Sequence, residues 1–547
     1  MDGLMMDFPL TLHHFLERAG RLHPNKEIVA RTPSGIHRYR YRDYYKRTHR
    51  LAKALEGLGV KPGERVGTLA WNNYRHLELY FAIPCYGAVL HTLNLRLHPD
   101  DLAYIINHAE DRVIFVDRSL VPILAGIRGK IPCVRQFVVM GDTADGPDAN
   151  FPALDYEELL AATPDELFQW TRMDENSAAV MCYTSGTTGN PKGVVYSHRS
   201  LFLHSMAFTM ADTFSLSERD VLLQVVPMFH ANGWGKPFAA IMVGATIVLP
   251  GEHPQPRDIA QLIQDEQVTI AGGVPTIWIG LHNLLQEEKF DISSVRLLVG
   301  AGSAIPRNLI ETYAKEYGIE LRQLWGMTET TPVGTVSVLK RHFDGCTEDE
   351  CFATRAKQGL PAVGVELRCV DDQGREVPWD GATMGEIQVR GPWVIKGYYN
   401  DARSAVAFAD GWFRTGDVAT IDAEGYVQLV DRTKDVIKSG GEWISSVDLE
   451  NAIMSHPKVL EAAVIAVEHP KWQERPLAIV VPKPQFQDRV TKAEILEYLE
   501  PRFAKWWLPD DVVFVDALPK TSVGKFDKKV MREMYQGHEQ KADGERA

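Results

Sequence analysis

Apolar and polar residues along this chain follow two periods, and the switches between them mark its elements. Tyr44, Thr48, Leu51, Leu55 and Leu58 fall on one helix face, which Gly59 closes. Arg65 to Ala70 predicts a short strand, Asp101 to Ala109 a helix, and Arg112 to Asp117 a β-branched and aromatic strand. Val134 to Met140 repeats the strand pattern. Thr246 to Pro250, Val268 to Gly272 and Val295 to Gly300 continue it, with helical segments between. Such alternation predicts an α/β fold of helices layered over largely parallel sheets.

The pattern changes near residue 430. Beyond Asp431-Arg432-Thr433-Lys434 the chain reads as a compact α+β unit. Ser445 to Asp448 fits a capping box, S-x-x-D, opening a helix through Met454. Strands follow at Ala462 to Val467 and Leu477 to Val481, then a helix at Thr491 to Leu499 and a strand at Val512 to Asp516. The expected organisation is a large N-terminal α/β domain over 1–430, a hinge at 431–434 and a small α+β domain over 435–547. The polar tail from Gln536 to Ala547 reads as a frayed end.

Composition narrows the function classes. At 547 residues the chain is long enough for several cores, and 45% hydrophobic with 24% charged residues is an ordinary globular balance. A formal charge of −13 argues against a nucleic-acid partner and against a polybasic hold on anionic membranes. The six cysteines have no CxxC spacing, so reduced thiols are expected rather than a disulfide framework or zinc site. Met1 to Leu16 lacks the basic and apolar regions of a signal peptide, and no apolar run approaches the roughly 20 residues of a membrane span. A cytoplasmic protein is expected.

The chemistry concentrates in Tyr183-Thr184-Ser185-Gly186-Thr187-Thr188-Gly189-Asn190-Pro191-Lys192-Gly193. Hydroxyls, glycines that bare the backbone N–H groups, and a lysine form the inventory that a polyphosphate needs. It is not a Walker A loop, because Pro191 precedes Lys192 and Gly193 follows it. Apolar runs on both sides, Ala178 to Cys182 and Val194 to Tyr196, make it a turn within a core rather than a linker.

This run resembles the signature of the adenylate-forming superfamily, which includes acyl-CoA synthetases, luciferase-like enzymes and adenylation domains. Four further segments match in the family's order: Leu324 to Glu329 (LWGMTE), Gly411 to Asp417 (GWFRTGD), Asp431 to Asp435 (DRTKD) and Pro519 to Lys525 (PKTSVGK). The resemblance covers essentially the whole chain. It implies that the small domain is mobile and that ATP is bound by Thr184, Ser185, Gly186, Thr187, Thr188, Gly189 and Lys192. It extends that role to Gly302, Ser303, Ala304, Gln323, Trp325, Gly326, Met327, Thr328, Asp417, Arg432, Lys434 and Trp443. Trp325 stands where relatives usually carry tyrosine, and its indole offers an equivalent flat face to adenine. Asp417 would hold the ribose hydroxyls, though residue type alone also allows a plain turn aspartate. The resemblance implies that Thr184 and Glu329 share Mg²⁺, an ion suited to hard oxygens. Lys525 would bridge the substrate carboxylate and the α-phosphate, while its neighbours Lys520, Lys528 and Lys529 read as solvated.

Val226 to Trp234 (VPMFHANGW) speaks to the acyl group. Relatives that activate amino acids commonly carry aspartate where this chain has His230, which disfavours an α-amino substrate. The stretch Asp431 to Asn451 is most similar to bacterial long- and medium-chain acyl-CoA synthetases, where a tryptophan like Trp234 gates an acyl tunnel; Trp234 also reads simply as a large core residue. Lys438 would meet the adenylate phosphate after the small domain rotates, with Ser439, Gly440 and Gly441 beside the coenzyme A arm. The expected function is a fatty acyl-CoA synthetase forming an acyl-adenylate, with fatty acid, ATP and coenzyme A as substrates. The alternatives are a ligase for aryl, short or branched acids and a catalytically silent binding scaffold. By the same resemblance a homodimer is expected, with at most transient membrane contact.

Overall fold

A computed structural model describes residues 1, 3–141, 151–184, 190–433, 435–439, 442–487, 489–520 and 526–536, with only the backbone of Glu442 and Trp443. The predicted elements form, within a residue or two of their expected bounds except for the two long C-terminal strands, Val459–His469 and Gln473–Pro482, which begin three and four residues early. The helix Tyr41–Gly57 buries Tyr44, Thr48, Leu51 and Leu55, and the strands Arg65–Leu69, Asp111–Asp117, Gln136–Met140, Thr246–Leu249, Ile270–Gly273 and Leu297–Gly300 are all present.

These strands belong to two sheets. One runs, edge to edge, through Leu154–Asp155, Gln136–Met140, Asp111–Asp117, Arg65–Leu69, Val89–Thr92, Ala178–Thr184 and Lys192–Ser197. It is parallel except for the last pair. The other has a parallel centre, Glu320–Gly326, Leu297–Gly300, Ile270–Gly273, Val221–Leu223, Thr246–Leu249 and Glu27–Thr32, with antiparallel strands at both edges. Central strands such as Leu297–Gly300 are apolar and buried along their whole length, because helices cover both faces. A single apolar cluster contains Phe81 and Leu90 beside one sheet and Ile247 and Leu324 from the other, so the two sheets share a core.

A third, antiparallel sheet comprises Glu366–Val370, Gly385–Arg390, Phe408–Ala409, Trp412–Ile421 and Val427–Arg432. Its last strand ends five residues before Ile437–Ser439, the first strand of the C-terminal sheet. That sheet also holds Glu442–Ile444, Val459–His469, Gln473–Pro482 and Asp511–Phe514, and has its own apolar cores around Leu449, Val464 and Ile495 and around Ile465 and Ile479. The expected helix spans Ser446–Met454, where Ser445 Oγ accepts from Asp448 N and donates to Val430 O. Among the described residues, which include every cysteine, no disulfide forms, and no helix is long and apolar enough to cross a membrane.

Lys528 corrects one expectation. Its side chain is not solvated but largely buried, with the ammonium 2.8 Å from Glu450 Oε1 and also donating to Ser446 Oγ. Ser446 Oγ in turn donates to Asp431, the last residue but one of the third sheet, and Ser446 N donates to the same carboxylate at 3.0 Å. Removing one partner of a buried pair strands the other charge. Glu450→Ala is therefore expected to cost about 3–5 kcal/mol of local stability, read as loss of hydrogen-exchange protection in the helix Ser446–Met454. A loss below about 1 kcal/mol, the range of exposed pairs, would contradict the buried-pair account.

Candidate active site

Two strand ends frame the phosphate-loop candidate. In the antiparallel pair Ala178–Thr184 and Lys192–Ser197, Tyr183 faces Gly193 and Thr184 faces Lys192. Ser185, Gly186, Thr187, Thr188 and Gly189 lie outside the described residues. The frame is held from one side by the segment after Trp393: Tyr399 N donates to Gly193 O at 2.9 Å, and the Arg403 guanidinium donates to Asn190 O at 3.0 Å. Lys192 Nζ lies 4.5 Å from the centre of the Tyr398 ring, a cation over an aromatic face.

Tyr398 links this frame to Glu329, because its hydroxyl donates to Glu329 Oε1 at 2.8 Å. Glu329 is buried in a single turn, Thr328–Thr330. Burial pushes its carboxyl above the ordinary range, while the Tyr398 hydrogen bond and the cations Arg432 and Lys192 pull it back toward the ionised form. The turn is fixed on both sides, by Tyr196 OH donating to Thr328 O at 2.6 Å and Ile395 N donating to Glu329 O at 3.0 Å. Gly326, just before it, is obligatory: a Cβ there would sit 1.7 Å from Pro332 O, the acceptor of Met327 N.

Trp325, Asp417 and Arg432 come together. Trp325 Nε1 donates to Asp417 Oδ2 at 2.8 Å, and Arg432 Nε lies 3.1 Å from Asp417 Oδ1. Asp417 and Arg432 are register partners on neighbouring strands, which places them side by side. The departure to tryptophan thus supplies an N–H that ties the strand Glu320–Gly326 to the third sheet. Gly302, at φ 92°, turns the chain after Leu297–Gly300, with Ser303 exposed and Ala304 half-buried. The Gln323 amide accepts from Ile305 N and donates to Ala356 O, so both ends reach the main chain behind that turn.

The acyl segment contains five consecutive residues of positive φ, Ala231 to Gly235. Left-handed backbone costs non-glycine residues roughly 1–2 kcal/mol each, so the turn needs outside support. Asn232 Nδ2 donates to Thr92 Oγ1 at 3.0 Å, and Gln224 Nε2 donates to Gly233 O at 3.1 Å. His230, half-buried, precedes the turn, and the turn sets Trp234 into the wall of a cavity with Phe208, Phe214, Ile270, Val299, Leu324 and Val333. Its free interior is about 10 Å³, room for a single water molecule.

In the C-terminal sheet Lys438 is exposed, and its backbone N donates to Glu474 Oε2 at 2.7 Å. Ser439 is buried, its Oγ accepting from Arg475 at 3.1 Å, so its hydroxyl is engaged inside the small sheet. Lys434, Gly440, Gly441 and Lys525 lie outside the described residues, as does the side chain of Trp443.

The residues present fit a magnesium ion bound with phosphate. Glu329 offers a buried carboxylate that accepts from Tyr398, beside the frame that carries Thr184. Among the described residues no group of three or more His, Cys, Asp or Glu could hold an ion alone. An ion here would therefore take most of its ligands from phosphate and water, as Mg²⁺ does. Tyr398 was missed in the sequence, because its partner Glu329 lies 69 positions away and no periodicity connects them. Lys236, discussed below, was also missed, although a lone lysine in the apolar run before Val243 was a visible signal.

Family comparison agrees with this geometry. Residues 16–399 match the AMP-binding enzyme family, and residues 448–525 match the AMP-binding enzyme C-terminal domain. The chain is 50% identical over 539 residues to a long-chain-fatty-acid–CoA ligase of Thermus thermophilus, covering 98% of this chain and 97% of that one. It is 45% identical over 536 residues to a 3-methylmercaptopropionyl-CoA ligase of Ruegeria lacuscaerulensis, covering 98% and 99%. A crystal structure of an anthranilate CoA ligase in complex with anthranoyl-AMP superimposes with a TM-score of 0.86 at 26% identity, covering 97% and 99%. Fold and site together define an adenylate-forming enzyme. The chain belongs to the AMP-binding enzyme family, among the acid–CoA ligases, which take ATP and coenzyme A as substrates.

Tyr398→Phe removes the hydrogen bond that favours ionised Glu329, so the Glu329 carboxyl should titrate at higher pH. The acid limb of the kcat/KM profile should move to higher pH, with activity recovering as pH rises. A uniform loss at all pH values, with no movement of the limb, would contradict the link.

Proposed function

We propose that this protein is a fatty acyl-CoA synthetase that converts a medium- or long-chain fatty acid, ATP and coenzyme A to acyl-CoA, AMP and diphosphate. The observation that carries the reading is the apolar cavity walled by Trp234, next to a carboxylate and cation constellation suited to a nucleotide. The 50% identity to a long-chain-fatty-acid–CoA ligase supports it. Each methylene buried in an apolar wall contributes roughly 0.8 kcal/mol, which favours long chains over acetate.

In the first half-reaction a carboxylate oxygen attacks the α-phosphorus of ATP and diphosphate leaves. Thr184, Lys192 and the Ser185 to Gly189 loop bind the phosphates, Trp325 stacks on adenine against Gly302 to Ala304, and Asp417, aligned by Arg432, accepts from the ribose hydroxyls. Glu329 and Thr184 would hold Mg²⁺, which neutralises phosphate charge when bound. Lys525 bridges the two anions as they meet. In the second half-reaction the coenzyme A thiol attacks the acyl carbonyl, its proton is lost, and AMP leaves. Residues 431–434 serve as the hinge on which the 435–547 domain rotates, exchanging Lys525 for Lys438 and the Ser439 to Gly441 loop. The continuity of the third sheet up to Arg432, and of the small sheet from Ile437, supports that hinge position. Trp234 acts as the acyl gate with His230 at its base, and Trp443 contacts the nucleotide from the small domain. A homodimer with at most transient membrane contact completes the reading.

Two outcomes test it. AMP release against acids of increasing length should be negligible with acetate and benzoate and peak at a medium or long chain; activity confined to aryl or short acids would overturn the substrate. Lys525→Ala should abolish adenylation yet spare thioester formation from supplied acyl-AMP, whereas equal loss of both steps would overturn the rotation.

A further inference from the structure

Among the described residues, the wall of this cavity contains one ionisable side chain, Lys236. It opens the helix Lys236–Val243, directly after the left-handed turn that positions Trp234. Only 3% of it is exposed. Its Nζ donates to Gly272 O at 3.2 Å and lies 5.4 Å from the centre of the Trp234 ring. Gly272 makes the space: a Cβ there would stand 2.7 Å from the same nitrogen. An ammonium has three donors, and no other protein acceptor for them is found among the described residues, nor any carboxylate within ion-pair distance. Burial alone pushes the Lys236 ammonium down to about 7, so near neutral pH it takes both charge states.

A second polar group lies nearby. His204 is fully buried and neither ring nitrogen has a hydrogen-bond partner among the described residues. It packs against Gly235, the residue before Lys236, where a Cβ would meet its ring at 2.5 Å, and it lies one helical turn from the cavity residue Phe208. Burying a lysine with one weak partner, and an imidazole with none, is costly unless an occupant supplies acceptors. A cavity meant only for methylenes would be served better by leucine in place of Lys236.

We propose that Lys236 is a specificity-determining residue that hydrogen-bonds an acceptor oxygen on the acyl chain, so that the preferred acids carry a second carboxylate or a carbonyl along the chain. This rests on the acid–CoA ligase reading and refines its substrate class. The two oxygen sources share one recognition chemistry: a charged Lys236 favours the carboxylate, and a neutral one still donates an N–H to a carbonyl oxygen. Ligand pockets commonly fix orientation with a few polar groups in an apolar wall.

The test is AMP release, with ATP, Mg²⁺ and coenzyme A, on chain-matched trios: hexanoate, 5-oxohexanoate and adipate, then octanoate, 7-oxooctanoate and suberate. In the wild type one oxygenated member should exceed its plain acid in kcat/KM by roughly tenfold to a hundredfold. Lys236→Met, close in length and fully apolar, should remove that preference while the plain acids react as well or better. Lys236→Gln keeps a donor without the charge, so it should retain a ketoacid preference and lose a dicarboxylate one. The plain acid ranking first in every trio with wild-type enzyme would overturn the proposal without any variant, as would a preference that survives in Lys236→Met. Turnover of no acid at all would instead overturn the ligase reading beneath it.

Discussion

A buried carboxylate has to be kept ionised among aromatic side chains, and the site is arranged around that constraint. Glu329 is out of water in a tight turn, and its neutral form is favoured by burial alone. The structure answers with a hydroxyl donor, Tyr398, and with cations placed slightly further off at Lys192 and Arg432. Each of these has a second attachment. Tyr398 carries Lys192 over its ring, Lys192 is paired in the sheet with Thr184, and Arg432 is held by Asp417. A disturbance at one point is therefore felt across the phosphate frame and the ribose side together. Such linkage suits a reaction in which two anions must be aligned before either can react.

Polar contacts also hold the joint between the two parts of the chain. Asp431 lies one residue before the end of the third sheet, yet its carboxylate accepts from Ser446, one helical turn from Glu450, which holds Lys528. Arg532 also reaches back to Asp435. The joint thus carries directional polar contacts beside the small apolar cluster of Val418, Val430 and Val436, and polar contacts can be exchanged during a rotation at less cost than a packed core.

Periodicity made the sheets and helices legible, because apolar strands such as Leu297–Gly300 and the amphipathic helix Tyr41–Gly57 carry their burial in their spacing. Motifs exposed Thr184, Trp325, Glu329, Asp417 and Arg432, since each sits in a short run of unusual composition, and the structure brings the last four together. Long-range polar pairs left no such trace. Lys528 looked like one of several solvated lysines, because its partner Glu450 is on a different helix. Gln323 reads as a nucleotide contact within its motif, and spacing gives no sign that its amide reaches Ile305 and Ala356. Tyr398 and Lys236 have importance only through neighbours that the fold supplies.

The central claim is that an acyl-adenylate forms before coenzyme A takes part. The most direct measurement is isotope exchange between labelled diphosphate and ATP, with Mg²⁺ and a fatty acid but no coenzyme A. The account predicts exchange that depends on the fatty acid and is lost in Lys525→Ala. Exchange that requires coenzyme A, or proceeds equally without any acid, would contradict it.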